Sequence, residues 1–436
     1  MKVVLIEPRS SAANVYSKLS MPLLGPVYLG TILKNRGHEV EIYKEDIYTP
    51  DYAKLKADFL GISILTSTAK RGYEIARQFP REKVIIGGVH ASLLPQEALR
   101  FARQVVVGEA EEVIADMVEG RTSVPIVQGR QVKDLDRLPF PDFSLVKGLK
   151  ERSLISPIST SRGCPFDCSF CSVTKIFGRQ YRFRSAENVV AELVNKKDKQ
   201  IFFCDDNFTA NPVRSRKLLG LMLQNKIKKW SCQVRCDAAN DREMLDLMAR
   251  AGCRVVCIGF ESVNQKTLHA YSKNQTVAQI TEAIRSFHKK KIKIHGMFVL
   301  GSDDDNKTTV WDTLKFALKE RIDTIQMSIL TPFPGTKVHQ SLEKERRIFS
   351  TDWDLYDGQH IVFRPKLISA RELQFNVVRA YTDFYSFYRF LLLLFKLRFR
   401  NALFRLMGYA IIRQWLEHNH KMPWLRGVRS APAVSA

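Results

Sequence analysis

At 436 residues the chain is long enough for two or three domains with separate cores, which excludes a single small module. Its hydrophobic content of 45% and charged content of 26% are those of an ordinary globular protein, with no Pro-, Gly/Ser- or Gln/Asn-rich tract. A net charge of +23 favours phosphates, acidic substrates or anionic headgroups, yet the basic residues are spread along the chain and no nucleic-acid-binding signature stands out, which argues against nucleic acid as the partner.

Met1 to Pro8 reads as a short buried strand without the apolar run of a leader peptide. Residues 1 to about 118 then alternate apolar runs with amphipathic stretches. Strands are predicted at Val3–Ile6, Val40–Tyr43, Phe59–Ile64, Val84–Ile86 and Gln104–Val107, with helices over 25–35 and 69–78. The pattern predicts a Rossmann-like, flavodoxin-like open parallel sheet as a first domain, residues 1–120. Gly87-Gly88-Val89-His90 directly follows a strand, where ligands of open α/β sheets bind; the same glycines also suit a tight turn, the simpler local reading. Residues 121–149, with Leu138-Pro139-Phe140-Pro141-Asp142, read as a linker.

A second βα series follows, with strands predicted at Ile155–Thr160, Gln200–Cys204, Ser231–Arg235, Val255–Phe260, Ile292–Leu300 and Thr324–Leu330. Six units are too few for a closed eightfold barrel and predict a partial (β/α)6 barrel over 150–336, with functional groups at strand C-termini. Residues 337–436 form a C-terminal extension, mixed to about Ile368 and helical beyond. Its apolar run Phe390–Phe395 is too short to span a bilayer. From Tyr385 to Trp424, apolar residues such as Phe387, Leu397, Phe404 and Trp415 interleave with Arg389, Lys396, Arg398, Arg400, Arg405 and Arg413. That composition suits helices in a membrane interface, with a lipid substrate, or equally helices packed on the barrel or in a dimer contact.

Eight cysteines, three of them within 164–171, suit metal or redox chemistry in a reducing, cytoplasmic compartment better than a disulfide framework. Ser161-Arg162-Gly163-Cys164-Pro165-Phe166-Asp167-Cys168-Ser169-Phe170-Cys171 spaces its thiols C-x3-C-x2-C just after a strand. Three thiolates on one loop can hold three corners of a 4Fe-4S cubane and leave the fourth iron open to a small-molecule chelate. A zinc knuckle needs a fourth Cys or His at local spacing, and none is there.

This motif resembles that of the radical S-adenosylmethionine (SAM) superfamily, including the aromatic Phe170 before the last cysteine, and the likeness extends over 150–336. The resemblance implies that Cys164, Cys168 and Cys171 ligate the cluster, and that reductive cleavage of SAM yields a 5′-deoxyadenosyl radical. It implies contact between the SAM methionyl amine and the motif Cys204-Asp205-Asp206-Asn207, through Asp205 or Asp206; either could instead cap the next helix. Arg235 and Glu261 would face the SAM carboxylate and ribose, or else form a salt-bridged pair at the barrel mouth. No residue is assigned a catalytic role.

The first 145 residues are similar to the cobalamin-binding domain that precedes many radical SAM barrels. The shared pieces are Pro22–Gly30, Gly87-Gly88-Val89-His90-Ala91, Val107-Gly108-Glu109-Ala110-Glu111 and Leu138–Asp142. Gly87 and Gly88 would then border cobalamin. The sequence departs from the family pattern in lacking D-x-H-x-x-G, whose His ligates cobalt; Ser67–Gly72 stands roughly in its place. Cobalamin is then held without a protein imidazole, or the domain is a scaffold, and His90 reads as a polar residue in a turn. The leading expectation is a cobalamin-dependent radical SAM enzyme that methylates, cyclises or joins unactivated carbons, drawing electrons from flavodoxin or ferredoxin. The alternatives are a cobalamin-free radical SAM oxidoreductase acting on a lipid or tetrapyrrole, and a non-catalytic iron–sulfur sensor or electron carrier.

Overall fold

The computed structural model describes residues 1–10, 21–149, 155–196 and 199–419. Residues 150–154, at the start of the expected barrel segment, and the tail beyond 419, with Trp424, lie outside the described residues.

In β1 (Lys2–Glu7), Val3 and Leu5 enter one core cluster while Val4 and Ile6 enter another, because side chains alternate across a strand and both faces of this one are covered. With β2 (Glu39–Lys44), β3 (Phe59–Ser63), β4 (Val84–Gly87), β5 (Gln104–Val107) and β6 (Ile126–Gln128), it forms a parallel six-stranded sheet of order β2-β1-β3-β4-β5-β6. The order turns back at β1. The strand C-termini beside this switch point open a crevice, the usual ligand site of such sheets. Strand β6 falls inside the stretch read from sequence as linker; three residues behind Pro125 are too short a run to show alternation.

The second sheet starts with β7 (Ile155–Ile158). A small antiparallel pair follows, β8 (Ser161–Arg162) and β9 (Arg182–Phe183), which brackets the cysteine loop. Strands β10 (Gln200–Phe203), β11 (Trp230–Val234), β12 (Cys253–Glu261), β13 (Lys293–Leu300) and β14 (Thr324–Ile329) then add in sequence, all parallel, so the barrel is open with β7 and β14 at its edges. Ser185, Asn211, Asp241 and Thr276 each cap a following helix by accepting from the backbone N–H three residues on, worth about 1 kcal/mol apiece. One large core cluster joins these helices to the strands.

The extension closes the molecule in two ways. Helix Ala370–Phe384 covers the β14 edge: Tyr385 Oη accepts from Ile325 N and donates to Ile325 O at 2.9 and 2.8 Å, and Tyr381 Oη accepts from Met327 N at 2.6 Å. Farther upstream, Trp353 Nε1 donates to Glu97 at 3.0 Å and Lys70 pairs with Asp352 and Asp354, which straps the extension to the first domain. Among the described residues no helix is long and apolar enough to cross a membrane.

Candidate functional site

The cysteine loop is anchored at both ends. Gly163 sits at φ +83°, where an added Cβ would stand 2.3 Å from Gln180 O, so the loop can close only with glycine there. Phe170 packs edge-on against Tyr271 with centroids 4.9 Å apart, and Asp167 pairs with Lys337 at 2.8 Å and with Arg179. Cys164, Cys168 and Cys171 are all half-buried on this loop, whereas Cys232, Cys236 and Cys253 are buried in the barrel core. Burial pushes the Cys171 thiol up to about 12 and raises that of Cys164, so thiolates here call for a cation beside them. Among the described residues no group of three or more His, Cys, Asp or Glu is drawn together tightly enough for a single metal ion. Three soft donors without a local fourth fit a cubane better, because each thiolate then binds a different iron and the three stand farther apart.

The two aspartates after β10 do different work, and neither caps a helix; Asn211 does that. Asp205 is 1% exposed and accepts from Thr160 N at 2.7 Å, from Ser161 N at 2.9 Å and from Thr160 Oγ1, tying the ends of β7 and β10 together. Both of its carboxylate oxygens are engaged. Asp206 instead faces a cavity and is close enough for its charge to raise the thiols of Cys164 and Cys171. Its side chain is exposed to that cavity, yet the protein crowded around it, with the Asp205 charge, pushes its carboxyl up to about 6.

Arg235 and Glu261 do not pair with each other, contrary to one of the readings open from sequence. The Arg235 guanidinium lies 3.8 Å over the Phe166 ring of the cysteine loop and donates to Lys273 O at 2.6 Å and Asp237 at 3.2 Å. Glu261 accepts from Lys273 Nζ at 2.6 Å. A β-bulge at the end of β12, where Gly259 and Glu261 oppose consecutive residues of β13, re-aims Glu261 and leaves it at φ +64°. Lys273 joins the two, and sequence reasoning missed it, since nothing local marks a lysine twelve residues past its partner.

The cavity, of about 390 Å³, lies between the switch-point crevice of the first sheet and the cysteine-loop side of the barrel. Gly87, Gly88, Gly25 and Gly108 line it from the first domain, and Cys204, Asp206, Ser159 and Arg162 from the second. Gly88, at φ +94°, would bring a Cβ to 2.7 Å from Ile64 O. It is therefore both the turn residue and part of the wall. Among the described residues, Asp205, Arg235 and Glu261 are not in the lining, nor is any histidine. His90 lies in a short helix, fully buried, bonded to Glu97 at 3.2 Å and edge-on to Trp353.

A buried charge network borders the cavity and was legible only as part of a resembling motif. Glu109 accepts from Arg162 Nη1 at 2.8 Å, from Arg182 Nη1 at 3.0 Å and from Val132 N at 3.1 Å, while Arg162 Nη2 donates to Glu111 at 2.6 Å. Burial alone would raise the Glu109 carboxyl, but Arg182 and Arg162 outweigh it and hold the carboxyl below its ordinary value. Arg162 stands two residues before Cys164, so this network fixes the cysteine loop against the first domain.

Comparison with known proteins agrees with this layout. Residues 158–317 match the Radical SAM superfamily and residues 11–118 match the B12 binding domain. The chain is 30% identical over 406 residues to bacteriochlorophyllide d C-12(1)-methyltransferase of Chlorobaculum tepidum, covering 88% of this chain and 87% of that protein. It is 27% identical to the anaerobic magnesium-protoporphyrin IX monomethyl ester cyclase of Cereibacter sphaeroides, over 88% of this chain and 70% of the cyclase. Among solved structures, the cobalamin-dependent SAM radical enzyme OxsB with aqua-cobalamin bound shares the fold at a TM-score of 0.68 and 16% identity, over 94% of this chain and 72% of OxsB. The chain belongs to the radical SAM superfamily, among the methyltransferases and cyclases that carry a B12 binding domain ahead of the radical SAM domain.

Proposed function

We propose that this enzyme methylates, or closes a ring at, an unactivated carbon of a bulky, largely apolar small molecule, using a 4Fe-4S cluster, SAM and cobalamin. The observation that carries the reading is the cavity between the two domains, glycine-walled on one side and bordered by Asp206 beside the cysteine loop on the other. When bound, cluster and SAM supply a 5′-deoxyadenosyl radical and cobalamin supplies a methyl carrier.

The chain's own residues do the positioning. Cys164, Cys168 and Cys171 hold the cluster, with Phe170 and Gly163 fixing their loop. Asp206, whose partner in the chain is the Gly163 N–H, accepts from the methionyl amine. Arg235 and Glu261 complete the SAM site, oriented by Asp237 and Lys273. Gly87 and Gly88 would let a broad ring approach the backbone, and among the described residues the cavity wall holds no histidine that would ligate cobalt. The apolar lining excludes water from a radical. Flavodoxin or ferredoxin is the electron source in this reading, and eight free cysteines suit a reducing cytoplasm. The names of the two relatives make tetrapyrroles the first substrates to try.

The test is anaerobic reconstitution with iron, sulfide and hydroxocobalamin, followed by metal analysis and product assay. About one cobalt and about four irons per chain are expected, with SAM converted to 5′-deoxyadenosine in either reaction and to S-adenosylhomocysteine as well where a methyl group is transferred. Cleavage to 5′-deoxyadenosine alone, with no retained cobalt, overturns the cobalamin part in favour of a plain oxidoreductase. No SAM cleavage at all leaves the sensor or electron carrier.

A further inference from the structure

Close to half of the exposed large apolar side chains among the described residues fall between Phe387 and Met407. They sit on helices Phe387–Phe395 and Phe399–Asn419 and, above all, on the turn that joins them. There Phe395, Leu397 and Phe399 are 83, 75 and 62% exposed, and Lys396 and Arg398 between them are exposed as well.

The turn is built rather than loose. Arg398 N–H donates to Leu393 O and Leu397 N–H to Leu394 O, both at 2.9 Å, the pair of hydrogen bonds that ends a helix with a left-handed residue. Glycine is the ordinary occupant of that position, yet Leu397 holds it at φ +52° with its side chain held out to solvent. A branched apolar residue in a strained site, facing water, calls for something to cover it.

Away from the tip, exposed side chains such as Tyr388 and Met407 alternate with others that pack inward. Arg405 lies 3.2 Å over the Phe384 ring, and Ala402 and Trp415 are buried. The membrane-facing side expected from sequence is therefore corrected at Arg405 and Trp415, which are packed inward, and the most exposed apolar surface is the tip. Charge narrows the occupant. No acidic residue stands between Asp383 and Glu417, and among the described residues no acid pairs with Lys396 or Arg398. A two-fold dimer through the tip would face these cations with their own copies. Residues 420–436 carry Lys421, Arg426 and Arg429 and no acid, so they do not complement it either.

We propose that the turn Phe395–Phe399 inserts into the headgroup layer of an anionic lipid bilayer, its three apolar side chains at the acyl boundary and Lys396 and Arg398 on lipid phosphates. This goes beyond the reaction proposed above, and its test needs no turnover.

The full chain is sedimented with phosphatidylcholine vesicles, with and without phosphatidylglycerol. Two basic residues at about fivefold each predict roughly 25-fold tighter binding to the anionic vesicles, lost in high salt. The triple variant Phe395→Ser, Leu397→Ser, Phe399→Ser is expected to weaken binding to both vesicles by at least about tenfold. The double variant Lys396→Gln, Arg398→Gln is expected to lose the anionic preference alone. Both change exposed residues, so iron content and melting temperature should match the parent; if the triple variant fails that check, the double variant and the salt series decide. Equal binding by parent and variants overturns the proposal. So does a parent that ignores vesicles, whether monomeric or a dimer that the triple variant splits.

Discussion

Among the described residues two parallel sheets have six strands each, and their C-terminal ends meet across one cavity with opposite chemistry. The first sheet offers Gly87, Gly88 and Gly108, a wall defined by what is left out. The barrel end offers Cys204, Asp206 and Arg162, with the cysteine loop and the Arg235–Lys273–Glu261 group nearby. A broad neutral surface is accommodated by removing side chains, whereas charged and soft ligands need donors held at fixed positions. One wall works by shape and the other by charge.

That contrast can be broken from the barrel side first. Replacing Cys164, Cys168 or Cys171 by Ala is expected to abolish iron retention and SAM cleavage, read by iron analysis and 5′-deoxyadenosine yield, while cobalamin binding by the first domain persists. Loss of cobalamin along with iron would mean that the walls are not separable.

The seam between them comes next. Glu109→Gln removes the charge facing Arg162 and Arg182 and should lower stability by about 3–5 kcal/mol in denaturant melts. Because the folded Glu109 carboxyl lies below its ordinary 4.5, its stabilising contribution is full above that value and fades as pH falls through the lower folded one. The gap between parent and variant should therefore hold at neutral pH and narrow only below about pH 4. A gap independent of pH would assign the loss to packing instead.

On the first domain's side, Gly88→Ala forces a Cβ against Ile64 at a positive φ, costing about 1–3 kcal/mol. In the cofactor-loaded protein it should also reduce cobalt retention with iron unchanged. The smallest effect is expected at His90→Gln, which loosens the contacts to Glu97 and Trp353 for about 1–2 kcal/mol. Cobalt content should not move, since His90 is outside the cavity wall; a fall in cobalt without a fall in melting temperature would instead make it a ligand.

Legibility in the sequence followed locality. The main strands of both sheets announced themselves through runs such as Val3–Ile6 and Ile292–Leu300, because burial imposes a period within a few residues. The pieces that escaped, Ile126–Gln128 and the pair Ser161–Arg162 with Arg182–Phe183, are two or three residues long and exist only through their partners. In the site, the cysteine loop and Asp205-Asp206 were visible as contiguous motifs, but their division of labour was not, because it depends on which carboxylate meets the end of β7. Lys273 and the Glu109 network depend on pairings between distant segments; the first left no local trace, and the second showed only Glu109 and Glu111 inside a resembling motif, without their partners.

The two tyrosine hydroxyls on β14 set a schedule for the chain's synthesis. Tyr381 and Tyr385 reach back 54 and 60 residues to cover that strand's backbone. At roughly 5–20 residues per second, the nascent barrel shows a bare strand edge for on the order of 3–12 s before its cover is made. A message or truncation that stops short of these tyrosines leaves that edge open for good, and the product to expect is a self-pairing, aggregating barrel rather than a smaller enzyme.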